Sequence, residues 1–309
     1  MKINKVYNIN FLDNTLPDKC ANLLICDPPY FEVRGKFDFV WNSFEDYLID
    51  VEKWAIECKR LLADNGTLFW YGHAKRIAYA QIIFDKYFNL LNNLVWDKGS
   101  FMGLEEREGL RSFAPCTERI LMYGNEEKNF VVDHLQKYLL SEFRKCGKPV
   151  SFYKDLCGFT GNQPYNWFTP NNNGKAQWAF PKKEHYQKLS VTGFFLKEYE
   201  ELKAEYESLR RPFINHFKLQ EIFRFSNEAV KTGAKYNHDT VKPEALTRAL
   251  ILTCSRKNDL VVVPFAGSGT ECAMSIKEGR KAIGFDIEEK YVEMSNDRIQ
   301  GILKQPSLF

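Results

Sequence analysis

The sequence predicts an α/β fold: a mostly parallel sheet covered on both faces, with a partly helical region inserted into it. Three observations carry that prediction. An apolar run, Leu23-Leu24-Ile25-Cys26, empties into Asp27-Pro28-Pro29-Tyr30. Near the other end, a β-branched run from Leu260 to Val263 enters the Gly-rich turn Pro264-Phe265-Ala266-Gly267-Ser268-Gly269-Thr270. Strand-like and helix-like patterns alternate beside both, as they do when helices connect parallel strands.

The first strand, 23–26, must stop where the two prolines fix φ and remove two backbone donors. They leave a carboxylate, outward carbonyls and a ring in fixed relation. That set suits a flat, amino-bearing ring, which the carbonyls and carboxylate would accept and Tyr30 would stack upon. It equally describes a strand-terminating turn with a surface Tyr. Ser43 then caps a helix whose apolar positions, Phe44, Tyr47, Leu48, Val51, Trp54, Ala55, Cys58 and Leu62, keep 3–4 spacing. Asn65-Gly66 is expected to stop it, with Thr67 to Tyr71 as the next strand. A helix near 74–86 and a strand near 90–97 follow. Ligands of such a sheet belong at the carboxyl ends of its strands, where both motifs fall.

After the Gly-rich turn, a helical pattern runs from Glu271 to Glu278 and Gly279-Arg280 closes it. Glycines let backbone approach a ligand, and the helix N-terminus offers free N–H groups. Ala282 to Asp286 reads as the next strand with an acid at its end. Asp286 lies 19 positions after Gly267, near the ~20 at which a βαβ unit places an acceptor for ribose hydroxyls. Two cofactor classes compete for such a site. A nicotinamide site wants G-x-G-x-x-G, and here the third glycine position is Cys272. The other class is S-adenosyl-L-methionine.

The two motifs together, in the order Asp-Pro-Pro-Tyr first and Pro-Phe-Ala-Gly-Ser-Gly-Thr last, resemble the β group of amino-methylating DNA methyltransferases. His238-Asp239-Thr240-Val241-Lys242-Pro243 resembles the family segment that helps wall the cofactor pocket. Thr117 to Gly124 resembles its late catalytic-domain strand. The resemblance covers about residues 5–124 and 236–300. It implies a Rossmann-like S-adenosylmethionine-dependent methyltransferase sheet with an inserted, partly helical target-recognition region. Residues 1–124 and 236–309 would form the catalytic and cofactor-binding domain, and 125–235 the specificity insertion.

The resemblance also implies roles. Asp27, Pro28, Pro29 and Tyr30 would be catalytic. Asp27, His238, Lys242, Pro264, Phe265, Gly267, Ser268, Gly269, Thr270 and Asp286 would hold the cofactor. The reaction would be transfer of a methyl group to the exocyclic amine of adenine in a specific duplex sequence, with the base flipped out of the helix. It needs no metal and no covalent nucleophile. Asp rather than Ser at position 27 favours adenine. The alternatives are a cytosine-N4 DNA methyltransferase, an RNA or protein-amide N-methyltransferase, and a catalytically idle DNA-binding subunit. One position departs from the family: the acid usual before Pro-Phe is Val263 here. Asp27 is the nearest acid expected to serve in its place.

The net charge is only +3, but between Lys137 and Lys188 nine Lys/Arg face three Asp/Glu, with Phe152, Tyr153, Phe159, Tyr165, Trp167, Phe168, Trp178, Phe180 and Tyr186 interleaved. A cationic, aromatic, loop-rich stretch suits phosphate contacts and base-edge readout, and equally a solvated insertion with its own small core. Pro181 to Leu189, a turn at Thr192-Gly193, and Phe195, Tyr199, Leu202, Tyr206 and Leu209 at 4-3-4-3 spacing outline a helix-turn-helix. Pro212 ends the second helix, and Glu207 can reach Arg211. The same outline fits a helical hairpin or a dimer seam. Lys175, Gln177, Lys182 and Lys183 are the candidate DNA contacts, and Asn171, Asn172 and Asn173 can pair with an adenine edge.

Double-stranded DNA is thus the expected partner, with a homodimer and a cognate restriction endonuclease also considered. The eight cysteines lack C-x-x-C spacing and the five histidines are scattered, which argues against structural zinc and against a disulfide framework. No apolar run reaches membrane length. A cytoplasmic, nucleoid-associated protein of bacterial or phage origin is expected.

Overall fold

The computed structural model describes residues 1–33, 36–99, 111–113, 115–125, 130–161, 163–168, 179–225 and 241–304. They fall into two compact units, Met1–Asn125 with Arg211–Phe309, and Glu126–Arg210. The first unit opens with β1 (Lys5–Asn8), β2 (Ala21–Cys26), α1 (Phe44–Leu61), β3 (Leu62–Gly72), α2 (Ile77–Phe84), β4 (Asn89–Asp97) and β5 (Thr117–Gly124). Ser43 caps α1 as expected, its Oγ accepting the Asp46 N–H at 3.0 Å. The helix buries Tyr47, Val51, Trp54, Ala55, Cys58 and Leu61. It does not run on to Asn65-Gly66. Leu62 is already extended and pairs with Ala21, and the next registered pair is Leu23 with Thr67, so 63–66 form a bulge inside β3. Gly66 is required there, because a Cβ would sit 2.6 Å from Leu62 Cδ1.

The second unit holds α3 (Phe130–Cys146), α4 (Val150–Cys157), α5 (Gln163–Phe168), α6 (Lys183–Ser190) and α7 (Tyr199–Leu209). Its core gathers Leu135, Leu139, Tyr153, Trp167, Phe168, Tyr186, Leu189, Phe195 and Leu202. Most aromatics that interleave the basic stretch are therefore its core, and Tyr165 is the exposed one among those described. Helix α6, a turn through Gly193 at φ +79°, and α7 reproduce the predicted helix-turn-helix outline. Phe195 is not part of the second helix. It sits before α7 at φ +58°, fully buried, with its carbonyl accepting the Tyr186 hydroxyl at 3.1 Å. Glu207 pairs with Lys203 at 2.8 Å and Arg210 at 2.5 Å.

The chain returns to the first unit earlier than residue 236. Strand β6 (Ile222–Arg224) pairs with β4, so 211–225 belong to the sheet rather than to the insertion. Then come α8 (Glu244–Cys254), β7 (Leu260–Val263), α9 (Thr270–Lys277), β8 (Lys281–Asp286) and α10 (Glu289–Leu303). The sheet order is β1-β8-β7-β2-β3-β5-β4-β6. Every neighbouring pair is parallel except β3–β5 and β4–β5. Alternation splits each central strand between two cores: Leu24 and Cys26 of β2 face one with α1, while Leu23 and Ile25 face the other with α8 and α9. The five parallel strands thus end side by side, delivering Asp27, Pro264 and Asp286 to one edge of the sheet. Among the described residues, no helix is long and apolar enough to cross a membrane.

Candidate active site

Asp27 leaves the end of β2, and its carboxylate is held from two sides. Lys242 Nζ lies 2.7 Å from Oδ2, and the Tyr30 hydroxyl donates to Oδ1 at 2.7 Å. Burial first, then the charges of Asp27 and Glu118, push the Tyr30 phenol well above its ordinary pKa, so it stays a donor. Its backbone N–H donates to the buried carboxylate of Asp38, which fixes the loop that carries it.

Lys242 enters from the segment before α8 and is 5 % exposed. Its ammonium also lies 3.4 Å from Glu118 Oε2, 5.1 Å from the Tyr71 ring centre and 5.7 Å from that of Tyr30. Burial opposes its charge, but Asp27 and Glu118 outweigh that and raise its pKa. Glu118 stands at the start of β5, opposite Trp96 of β4. Because β5 runs antiparallel, its beginning lies at the same edge as the carboxyl ends of the parallel strands. Lys98 pairs with the second oxygen of Glu118. Burial alone would raise Glu118, but Lys242 and Lys98 hold it below the usual carboxylate range.

The Gly-rich loop is tied to the end of β8. Asp286 Oδ2 accepts the Gly267 N–H at 2.8 Å and Oδ1 accepts the Glu288 N–H at 2.9 Å. Burial raises the Asp286 pKa against those two donors. Phe265 anchors the loop by packing edge-on against Trp54, with ring centres 5.0 Å apart. Gly269 has φ +72°, and a Cβ there would meet Ser295 Oγ at 2.6 Å. This glycine is therefore demanded by α10 as well as by backbone conformation. Ser268 and Thr270 are buried, and their hydroxyls meet at 3.2 Å. Arg298 Nη1 donates to Thr270 Oγ1 at 3.0 Å.

Glu271, in the first turn of α9, links the two motifs. It is 4 % exposed, and among the described residues its Oε1 has no hydrogen-bond partner. Burial and the charge of Asp27 push its pKa up to about 7. The fold thus brings together Asp27, Tyr30 and Lys242, which the sequence marks, with Glu118, Glu271, Lys98 and Tyr71, which it does not. Glu118 and Glu271 carry a weak signal only, an acid inside an otherwise apolar strand or helix start. Pro28 and Pro29 lie in the loop between Asp27 and Tyr30, and Pro264 follows β7. His238, Lys175, Gln177 and the three asparagines fall outside the described residues. In the second unit, Lys182 is exposed at the N-cap of α6, and Lys183 pairs with Glu200 at 2.6 Å.

Known proteins share these features. The chain is 26 % identical over 291 residues to the DNA adenine methyltransferase YhdJ of Escherichia coli K12, covering 92 % of this chain and 78 % of that one. It is 26 % identical over 304 residues to the type II methyltransferase M1.MboII of Moraxella bovis, covering 96 % of each. In fold it is similar to a DNA modification methylase of Thermus thermophilus, TTHA0409, solved as a complex with S-adenosyl-L-methionine. That match has a TM-score of 0.55 and 16 % identity over 97 % of this chain and 94 % of the other. The cytosine-N4-specific PvuII DNA methyltransferase superposes with a TM-score of 0.52 and 14 % identity, over 96 % and 92 % of the two chains. The family model described as DNA methylase, of the N6/N4 methyltransferase type, matches residues 21–297 and so takes in both motifs and everything between them: the chain belongs to that family.

Proposed function

We propose that the chain transfers a methyl group from S-adenosyl-L-methionine to the exocyclic amine of adenine within a specific duplex DNA sequence. The observation that carries this reading is the setting of Asp27, a carboxylate fixed by Lys242 and Tyr30 where the β2 strand ends. The residues fit the cofactor: Asp286 gathers the Gly267 N–H at the end of β8, and Glu271 offers a buried carboxylate oxygen with no partner among the described residues. Gly267, Ser268, Gly269 and Asp286 would hold it, with Phe265 and Lys242 supporting the loop and the acid. When bound, it supplies an electrophilic methyl group on a sulfonium.

The chain's own groups do the rest. Duplex DNA hides the amine, so the base must be flipped out, and the Tyr30 ring offers a face on which it stacks, worth ~1–3 kcal/mol. Asp27 and the Pro28 carbonyl accept the two amino hydrogens, which draws the nitrogen lone pair out of ring conjugation and aims it at the methyl. Positioning and fixed charge then supply most of the acceleration. Lys242 holds the Asp27 carboxylate in place. Adenine is favoured over the cytosine amine by Asp at position 27, and relatives such as YhdJ carry adenine in their names. The second unit, with its exposed lysines, is the proposed reader of sequence.

Methylation-sensitive long-read sequencing of host DNA expressing the protein tests this. N6-methyladenine in one recurring motif is expected. N4-methylcytosine in its place would overturn the adenine assignment, and no DNA methylation would overturn the activity.

A further inference from the structure

The buried cluster at the sheet edge has one negative charge too many. Asp27, Glu118 and Glu271 are three carboxylates, and Lys242 and Lys98 are two ammonium groups. Asp27 has Lys242 and Tyr30, and Glu118 has Lys242 and Lys98. Glu271 is the acid left with an oxygen that no described residue meets, although it is almost wholly buried. A buried carboxylate without a partner either stays protonated or awaits a cation. Its position decides which cation. It lies in the helix turn that follows the Gly-rich loop, and the charges of Asp27 and Lys242 act on it, so it faces the space between the two motifs. The acid that the family resemblance places before Pro-Phe is Val263 here, so β7 offers no carboxylate of its own.

We propose that Glu271 is the carboxylate that receives the ammonium group at the amino-acid end of the methyl donor, and that it gives up a proton when that ammonium arrives. This rests on the methyl-transfer function proposed above. Before binding, the group is a neutral acid. On binding, its O–H proton passes to solvent and the carboxylate forms an ion pair with the ligand's ammonium, so charge stays balanced in the cluster. The groups that set its proton affinity come from every neighbouring element: Asp27 after β2, Tyr71 of β3, Lys242 before α8, Cys272 of α9 and Arg298 of α10. Burial and Asp27 favour the neutral form, while Lys242 and Arg298 oppose it. An arriving cation adds to the second pair.

The test is calorimetric titration of the whole protein with S-adenosylmethionine at pH 6.5, in buffers of different ionisation enthalpy. The dependence of the heat on the buffer counts protons. Release of more than half a proton per ligand is expected, with affinity rising about tenfold between pH 6 and pH 8, because a group at about 7 is mostly protonated at the lower end. S-adenosylhomocysteine keeps the ammonium and lacks the sulfonium charge, so it must release the same proton. E271Q should bind with no proton release and a flat pH profile. Binding by the parent without proton release overturns the assignment alone, as does release with S-adenosylmethionine but not S-adenosylhomocysteine. A parent that binds neither ligand overturns the methyl-transfer function itself. Because the buffer dependence is read on the parent protein, the assignment stays testable even if E271Q fails to fold.

Discussion

Lys242 Nζ stands 2.7 Å from Asp27 Oδ2, and the ammonium that makes this contact is almost entirely shut off from water. The pair joins a residue just before α8 to one at the end of β2. It therefore holds the catalytic loop against the C-terminal half of the sheet, and it does so with charges that cannot be hydrated if separated.

That sets up a stability prediction. Lys242→Met leaves Asp27 and Glu118 facing each other without their shared cation, and breaking a buried pair this way costs about 3–5 kcal/mol. Asp27→Asn with Lys242→Met together should recover part of the loss, since the stranded charge is then reduced. Denaturant unfolding of the two single variants and the double variant measures it. Strict additivity of the three values would mean that the contact carries no coupling.

Tyr30 separates ring from hydroxyl. Tyr30→Phe keeps the stacking face but removes the donor to Asp27 Oδ1. Turnover should fall roughly tenfold, the size of one lost hydrogen bond to a charged group at ~1.5 kcal/mol, with duplex affinity little changed. Tyr30→Ala should weaken binding to the flipped base by a further ~1–3 kcal/mol. Asp27→Asn should abolish transfer yet still bind S-adenosylmethionine. Single-turnover methylation with equilibrium binding on the same duplex distinguishes these, and near-parental turnover by Asp27→Asn would remove Asp27 from the chemistry.

The fold is legible in the sequence where its signals are local. Ser43 caps α1 as a short-range rule requires, and Leu260 to Val263 and Ala282 to Asp286 are adjacent parallel strands. The bulge at 63–66 is not legible, because Asn65-Gly66 also looks like a helix stop and only pairing with β2 decides otherwise. Phe195 misleads for a similar reason: its spacing fits a helix, but it is the tertiary core of the second unit that holds it at φ +58°. In the site, Asp27 and Tyr30 are neighbours in sequence and can be seen. Glu118 and Glu271 reach the site only through sheet order, and nothing about an isolated acid announces that. Gly269 reads as room for a ligand, whereas Ser295, 26 residues on, occupies the space a side chain would need.

Glu271 gives stability a pH dependence whose sign follows from burial. Its pKa is raised from the ordinary 4.5 to about 7 in the folded chain. The folded state therefore binds this proton more tightly than the unfolded chain. The resulting stabilisation is complete below about 4.5 and is lost as pH climbs through 7. Glu271→Gln is neutral throughout, so relative to the parent it should gain stability with rising pH, by on the order of 3 kcal/mol between about pH 4.5 and pH 8. Thermal unfolding of both proteins across that range measures the difference, and a difference independent of pH would show that Glu271 ionises normally.

The two lysines at the start of α6 should behave differently toward DNA. Lys183 is already engaged by Glu200 at 2.6 Å, with both side chains exposed, so its field is partly cancelled before any duplex arrives. Lys182 sits at the N-cap, where the helix dipole repels a cation. A positive charge kept at that place, beside free backbone N–H groups, suits a phosphate. Each phosphate contact contributes a slope of about −0.9 to the salt dependence of binding on duplex DNA. Lys182→Ala should therefore flatten the slope by about one contact on matched and scrambled duplexes alike, and Lys183→Ala by less. Glu200→Gln should steepen it by freeing Lys183. All three should leave cofactor affinity untouched, because the two cofactor motifs lie in the other unit. Titrations across salt concentration with both duplexes decide the matter. Equal slopes for the parent and Lys182→Ala would return α6 and α7 to the role of a structural hairpin. Sequence reading would then be sought among the residues between α5 and α6, where Lys175 and Gln177 lie.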